Sequence, residues 1–402
     1  MTIPGIMDMV VRGKRLLVRA DLNVPTVAGR ITDTTRIDRF ATGMRPLLAR
    51  GARLVILTHY GRPEPHVMNP EFSVDKFRPA LSEALGVPVR FSDVCVGASA
   101  ELLSRQLRDG EALLCENLRL NPGETDNDTG FATQLAQLGD IYVNDAFSCA
   151  HRAHASTEAL ARQLPAAAGP LLIEELDALS AALESPRRPS IAIVGGAKVS
   201  TKIALLKNLV QKLDGIIIGG GMANTFLYAL GAPMGLSLYE ADQVETVHEI
   251  CALAERNGCA LHLPADVVIA RNFRAGARSR VIDSMKCPAD HMILDAGPGA
   301  LKQFETVLSG ANTILWNGPL GAFEIPPFDQ STVMLARSAA DLSRQGLAVT
   351  VAGGGDTVAA LNHAGVTGDF TYVSTAGGAF LEWLEGRTLP GIAALTQPDQ
   401  AA

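Results

Sequence analysis

The sequence predicts an α/β protein made of two doubly wound, Rossmann-like parallel-sheet domains joined by a helical hinge. Three observations carry this reading. Short β-branched runs recur along the 402 residues and alternate with amphipathic helical stretches, the pattern of parallel strands covered by helices on both faces. Most runs end in a small or polar cluster, where open α/β sheets bind their ligands. A proline-bracketed helical stretch separates two parts whose strand ends differ in chemistry.

In the first part the runs are RLLVRADLNVP, RLVILTHYGRP, ALLCENLRLNPGE and DIYVNDAFS, with the helical pattern DTTRIDRFATGMRPLLARG after the first. Their ends carry Asp21, Asn23, His59, Arg62, Arg119 and Arg152, and Arg36 stands in the helix opening. Any one arginine is an ordinary surface residue. Several at the carboxyl ends of one sheet form a cradle for a small phosphorylated acid, because guanidinium forks match phosphate and carboxylate oxygens. His151 and His154 flank Arg152, but no carboxylate or cysteine stands at matching spacing, so zinc is not expected.

The stretch QLPAAAGPLLIEELDALSAALESPRRPS sets Pro165 and Pro170 before a helical pattern and Pro186 and Pro189 after it, which suits an interdomain helix. Beyond it come IAIVGGAK, GIIIGGGMA, LHLPADVVIA, MILDAGPG, TILWNGPLG and AVTVAGGGDT. Glycine-rich turns between strand and helix let backbone N–H groups approach phosphate. One such turn demands no more than a tight bend. GGAKVSTKI, GGGMANTF, AGGGDTVAAL and STAGGAFLEWL together point to a nucleotide, although none fits the dinucleotide pattern G-x-G-x-x-G and GGAKVSTKI does not fit G-x-x-x-x-G-K-[ST]. Lys198 and Lys202 are four residues apart. At a helix start they would share one face, one turn apart, and converge on a polyphosphate, or else form an ordinary solvated pair. Asp356, after three glycines, is either a magnesium ligand or a helix N-cap.

Net charge is −7, with 47% hydrophobic and 19% charged residues. No global basic field draws such a chain to nucleic acid or anionic membrane. The six cysteines form no C-x-x-C pair, so they read as free thiols of a reducing compartment. The most apolar window, residues 213–236, carries Asp214, Asn224 and several glycines, and reads as strand, turn and helix rather than a membrane span. No charged segment followed by an apolar one opens the chain, and a cytoplasmic setting is expected. G-x-S-x-G, H-E-x-x-H and the H-R-D/D-F-G pair are missing, and no general base presents itself. A carboxylate acceptor arrives ionised and needs none.

In order, RADLNVP with GRITDTTRI, THYGRP, ENLRLNPGE, NDAFSCAHRAHAS, GGAKVSTKI, GGGMANTFL, WNGPLGAFE, GGGDT and STAGGA strongly resemble the phosphoglycerate kinase family, from about residue 15 to 388. The resemblance implies 3-phosphoglycerate or 1,3-bisphosphoglycerate on residues 1–170, an interdomain helix at 171–186, and ADP or ATP with Mg²⁺ on residues 187–388. It also implies a tail, 389–402, packing back on the N-terminal domain, and a monomer that closes by hinge bending. It assigns Asp21, Asn23, Arg36, His59, Arg62, Arg119 and Arg152 to phosphoglycerate. Lys202 falls to the nucleotide phosphates, Glu324 to the ribose, and Gly354, Gly355, Asp356 and Thr357 to the phosphate–metal end. Asn317 and Pro319 would line the nucleotide cleft, Gly220 and Gly221 would back the adenine, and Gly377 and Gly378 would start a helix aimed at the transferred group. Arg36 and Lys198 are the expected stabilisers of that group. Tyr60, Ser148–Cys149, Ala376 and the DAGPGA turn depart from the family's usual residues and put the loop geometry in question. Two other readings stay open on residues alone: an NAD-dependent dehydrogenase, and a non-catalytic scaffold of the same fold.

Overall fold

The computed structural model describes residues 3–65 and 69–396. The chain divides into two compact units, Met1–Leu176 with Thr388–Ala402, and Asp177–Arg387.

The first unit is built on a six-stranded parallel sheet. Its strands are β1 (Arg15–Ala20), β4 (Arg53–Leu57), β5 (Val89–Ser92), β6 (Ala112–Cys115), β7 (Ile141–Asp145) and β8 (Ala166–Ala168), in the order β5-β6-β4-β1-β7-β8. β1 lies between β4 and β7 and is buried from Leu16 to Ala20, which explains its unbroken apolar run. The helix Thr35–Ala49 buries Ile37, Phe40, Ala41, Met44, Leu47 and Leu48, one face at helical spacing, in the same core as Leu16 and Val18. A small antiparallel hairpin, β2 (Thr26–Val27) with β3 (Arg30–Ile31), joins β1 to that helix. It brings Arg36 back to the carboxyl end of β1.

In the second unit the parallel sheet runs β11-β10-β9-β15-β16-β17, from β9 (Ser190–Val194), β10 (Gly215–Ile218), β11 (Ala260–His262), β15 (Thr313–Asn317), β16 (Val349–Gly353) and β17 (Tyr372–Ser374). A separate antiparallel sheet, β13-β12-β14, consists of β12 (Asp266–Ala270), β13 (Ser279–Asp283) and β14 (Met292–Ala296). The sequence reading placed LHLPADVVIA and MILDAGPG among helix-covered parallel strands, and this needs correction. LHLPADVVIA divides between β11 and β12. With no crossover helix between β12, β13 and β14, these strands pair antiparallel. Fully buried Trp316 on β15 donates from Nε1 to the Gly318 carbonyl at 2.8 Å, fixing the turn at the strand's end.

The connecting helix runs Pro170–Leu179 and continues as a π-helical stretch Ser180–Glu184. The division between units falls inside it, after Leu176, rather than at either end. The chain returns to the first unit at its far end. Within helix Pro390–Ala393, the Gly391 N–H donates to the Ala150 carbonyl at 2.9 Å, and Asn144 Nδ2 donates to the Gly391 carbonyl at 3.2 Å. Residues 397–402 of the expected tail lie outside the described residues.

Candidate active site

On the first unit the strand ends converge. Asp21, just past β1, accepts from Arg36 Nη1 at 2.6 Å and from Ser148 Oγ at 2.5 Å, both on Oδ2. Asn23 Oδ1 accepts from the Gly61 N–H at 3.3 Å, and the Gly61 carbonyl accepts from Arg119 Nη1 at 2.6 Å. Asp21, Asn23, Arg36 and Arg119 are thus tied into one cradle by the ends of β1, β4 and β6. Ser148, noted from sequence only as a departure, helps orient Asp21. Arg62 is exposed beside Gly61, and Arg152 donates from Nε to His151 at 3.2 Å.

His59 is buried at the end of β4, and its pKa is pushed down to about 2, mainly by burial and then by the positive charges of Arg19, Arg119 and Arg152. Arg119 and Arg152 thus both act electrostatically on this imidazole. Arg19, on β1, was not among the residues read from the sequence. It is 1% exposed, donates from Nε to Ser156 Oγ at 2.9 Å, and reaches His59 Nδ1 from Nη2 at 2.9 Å. Ser156 in turn donates from Oγ and N–H to the buried Glu124 carboxylate, at 2.7 and 3.0 Å. An arginine inside an apolar strand run was the available signal: burial of that charge demands partners.

The second unit holds a cavity of about 460 Å³. Gly220, Gly221, Pro319, Glu324 and Asp356 line it, with an apolar wall from Leu236, Leu238, Phe273 and Met292. Glycine is required where its loops cross. A Cβ on Gly195 would lie 1.8 Å from the Pro319 carbonyl oxygen, and one on Gly221 would lie 2.4 Å from that of Ala197. Backbone therefore forms this side of the cavity.

The lysine pair does not sit on a helix. The helix begins only at Ile203, with Lys202 as its N-cap and Lys198 exposed in the preceding loop. Gly196, at φ +143°, and the tie from Ser200 to Glu240 hold this loop away from helical geometry. The two lysines therefore have separate surroundings. Lys202 Nζ donates to the Gly195 carbonyl at 2.7 Å and to Asn317 Oδ1 and carbonyl at 2.6 and 3.1 Å. Burial lowers its pKa to about 8, against an opposing pull from Asp356. Asn317 also donates from Nδ2 to the Gly353 carbonyl at 2.8 Å, tying Lys202 to the turn after β16. The cavity lining meets this cluster at Gly196, where a Cβ would lie 3.7 Å from Lys202 Nζ, and at Asp356.

Gly354, at φ +97°, is the N-cap of helix Gly355–Ala364, and Asp356 lies exposed in its first turn. The capping role left open for Asp356 is taken by glycine. Thr357 is buried, its Oγ1 accepting from the Gly318 N–H at 2.8 Å, so it braces the turn. Gly377 and Gly378 open the helix Gly378–Leu384 as expected. Among the described residues no three His, Cys, Asp or Glu side chains gather as a metal cage.

Arginine-lined strand ends on one unit, and a glycine-walled cavity lined by the Asp356 carboxylate with Lys202 beside it on the other, define a class: a nucleotide-dependent phosphotransferase of the α/β type. The family model described as phosphoglycerate kinase matches residues 6–387. The phosphoglycerate kinase of Dinoroseobacter shibae is 55% identical over 395 residues, covering 98% of this chain and 99% of its own. That of Rhizobium meliloti is 55% identical over 398 residues, 99% and 100% of the two chains. Among solved structures, phosphoglycerate kinase from Coxiella burnetii aligns with TM-score 0.92 at 42% identity, over 98% of this chain and 99% of that one. The enzyme from Pyrococcus horikoshii aligns at 0.77 and 29%, over 98% of each. The chain belongs to the phosphoglycerate kinase family. It is a phosphotransferase of glycolysis, and the dehydrogenase reading is not favoured.

Proposed function

We propose that this chain transfers a phosphoryl group reversibly between 1,3-bisphosphoglycerate and Mg-ADP, using the residues described above. The observation that carries the proposal is the glycine-walled cavity with Asp356 in its lining and Lys202 held just behind Gly196. Phosphoglycerate is held by Asp21, Asn23, Arg36, His59, Arg62, Arg119 and Arg152. The nucleotide lies against Gly220, Gly221 and Pro319, with Glu324 at the ribose and Gly354, Gly355 and Thr357 supporting the phosphate end. To engage phosphate, Lys202 exchanges acceptors on Gly195 and Asn317 for phosphate oxygens.

Asp356 fits magnesium. It is a lone, exposed carboxylate without a capping bond beside the cavity, and Mg²⁺ commonly takes one or two carboxylates and completes its shell with phosphate oxygens and water. Once bound, the ion would neutralise phosphate charge. Arg36 and Lys198 stabilise the charge spread over the moving group's equatorial oxygens, and Gly377 and Gly378 offer backbone N–H groups to it. No proton need move, since the acceptor carboxylate is ionised. Because the ligands are held by different units, transfer requires that they be brought together. We assign that motion to bending at the connecting helix, which would also expel water from the reacting acyl phosphate.

The same reading takes the chain as a cytoplasmic monomer acting on small molecules. The net charge of −7 weighs against attraction to nucleic acid or anionic membrane. Among the described residues no helix is long and apolar enough to cross a membrane. A coupled assay with 1,3-bisphosphoglycerate and Mg-ADP tests the proposal. ATP must form at a rate that falls when Asp356→Ala weakens Mg-nucleotide binding, and unchanged affinity in that variant removes the metal assignment.

A further inference from the structure

The buried contact between Arg19 and His59 has chemical content beyond packing. A guanidinium carries only donors and stays protonated. The 2.9 Å contact from Arg19 Nη2 to His59 Nδ1 therefore makes Nδ1 the acceptor. The ring's single proton must then sit on Nε2, which has no hydrogen-bond partner within the protein among the described residues. Arg19 cannot easily turn away. Ser156 Oγ accepts its Nε–H, the Ala20 carbonyl accepts from Nη1 at 2.5 Å, and Glu124 holds Ser156 from beneath.

We infer that Arg19 is a positioning residue for the phosphotransferase reaction, locking His59 as a neutral Nε2–H donor to an oxygen of phosphoglycerate. This rests on the placement of phosphoglycerate at His59 proposed above. Protonating Nδ1 would set a second N–H against the guanidinium, within a buried site. The groups around His59 reinforce the lock: Arg19 from β1, Arg119 after β6, and Arg152 and His154 from the loop after β7 all disfavour a second positive charge. His154, itself pushed down to about 4 by burial and the same arginines, is neutral near pH 7. Neither His59 nor His154 then adds positive charge to the cradle near pH 7, and His59 contributes direction rather than charge. Phosphoglycerate affinity then escapes the titration that an ordinary histidine, with a pKa of about 6.5, would impose near neutral pH.

The test is a ¹⁵N-edited NMR titration of the histidine rings in the full chain. His59 is expected to keep the neutral Nε2–H pattern from about pH 5 to 8. A wild-type His59 that titrates in that range, or carries its proton on Nδ1, overturns the inference. In Arg19→Met the ring should populate both neutral tautomers, and the midpoint should rise only part of the way toward the ordinary value, because burial, Arg119 and Arg152 still hold it down. KM for 3-phosphoglycerate should then rise by about twofold or more, as part of the ring population loses its Nε2–H donor, while KM for Mg-ATP keeps its wild-type value. A purely structural role would move neither the tautomer nor that KM selectively. Should Arg19→Met fail to fold, Ser156→Ala removes one restraint on the guanidinium and should give a smaller shift in the same direction. Adding 3-phosphoglycerate separates this inference from the reading beneath it. A neutral His59 whose Nε2–H resonance does not move at saturation overturns the donor role while leaving the lock itself intact.

Discussion

Arg36 and Lys198 illustrate two ways of holding a cation for catalysis. Arg36 is braced by Asp21 at 2.6 Å, whereas Lys198 projects from a glycine-led loop. Truncating either removes a positive charge from the transferring group. Arg36→Ala and Lys198→Ala should each lower kcat by about 10²–10³, with nucleotide KM changed far less, as when an oxyanion donor is lost. Near-normal turnover in steady-state assays would strip that residue of its role. Lys202 behaves differently because its pKa sits near 8 before any phosphate arrives. Phosphate favours the charged form, so nucleotide binding above about pH 8 should take up a proton and weaken by up to about tenfold per pH unit. Calorimetry in two buffers of unlike ionisation enthalpy at about pH 9 reads that proton directly, and equal heats would show Lys202 already charged. The cradle residues were legible because charge at the end of an apolar run is conspicuous. Arg19 offered a weaker signal, a charge inside the apolar run RLLVRA that demands a buried partner without naming it. The lysine spacing misled because helical register was assumed where a glycine loop delays the helix.

At the scale of elements, the parallel strands were readable because burial on both faces leaves continuous apolar runs. Strand β13 was missed: its residues are mostly exposed, so it carries neither an apolar run nor a clean alternation. The connecting helix was legible from its prolines, yet its cap was hidden. Asp145, at the end of β7, accepts from the Leu171 N–H at 2.8 Å through Oδ1, while Oδ2 is buried without a partner. Burial pushes its pKa up to about 7. A carboxyl group raised in the folded state contributes stability that is complete below its unfolded value near pH 4 and disappears as pH rises through about 7. A shift of about three units corresponds to about 4 kcal/mol. Asp145→Asn keeps an acceptor for Leu171 without the charge, so its melting temperature should fall less than that of the wild type between about pH 5 and 8. Asp295, also raised to about 7 by burial, keeps some slope in both proteins. Parallel melting curves would mean that Asp145 ionises at no cost to the fold.

For the whole molecule, the decisive feature is that the first unit is discontinuous in sequence. Its last segment arrives after the entire second unit, at Thr388. Leu389, Ile392, Ala394 and Leu395 are buried there, and helix Pro390–Ala393 packs on the Ala155–Ala159 segment that contains Ser156. Gly391 is confined as well: a Cβ would lie 3.0 Å from Ala150 Cα. Ending the chain after Arg387 would remove three buried large apolar side chains, whose burial is worth roughly 1.5–3 kcal/mol each, uncover the surface they pack on, and leave Asn144 without its acceptor on Gly391. For a unit of this size a loss of about 5 kcal/mol lowers the melting temperature by about 10–20 °C. The loss has a direction, because the uncovered segment supports Ser156, which holds Arg19 beneath His59. The truncated chain should therefore show a higher KM for 3-phosphoglycerate while its nucleotide KM stays within about twofold, since the cavity belongs wholly to the second unit. Melting curves and paired KM measurements on the truncated chain check this. Equal loss at both sites would show that the terminal segment supports the fold at large rather than the anion cradle.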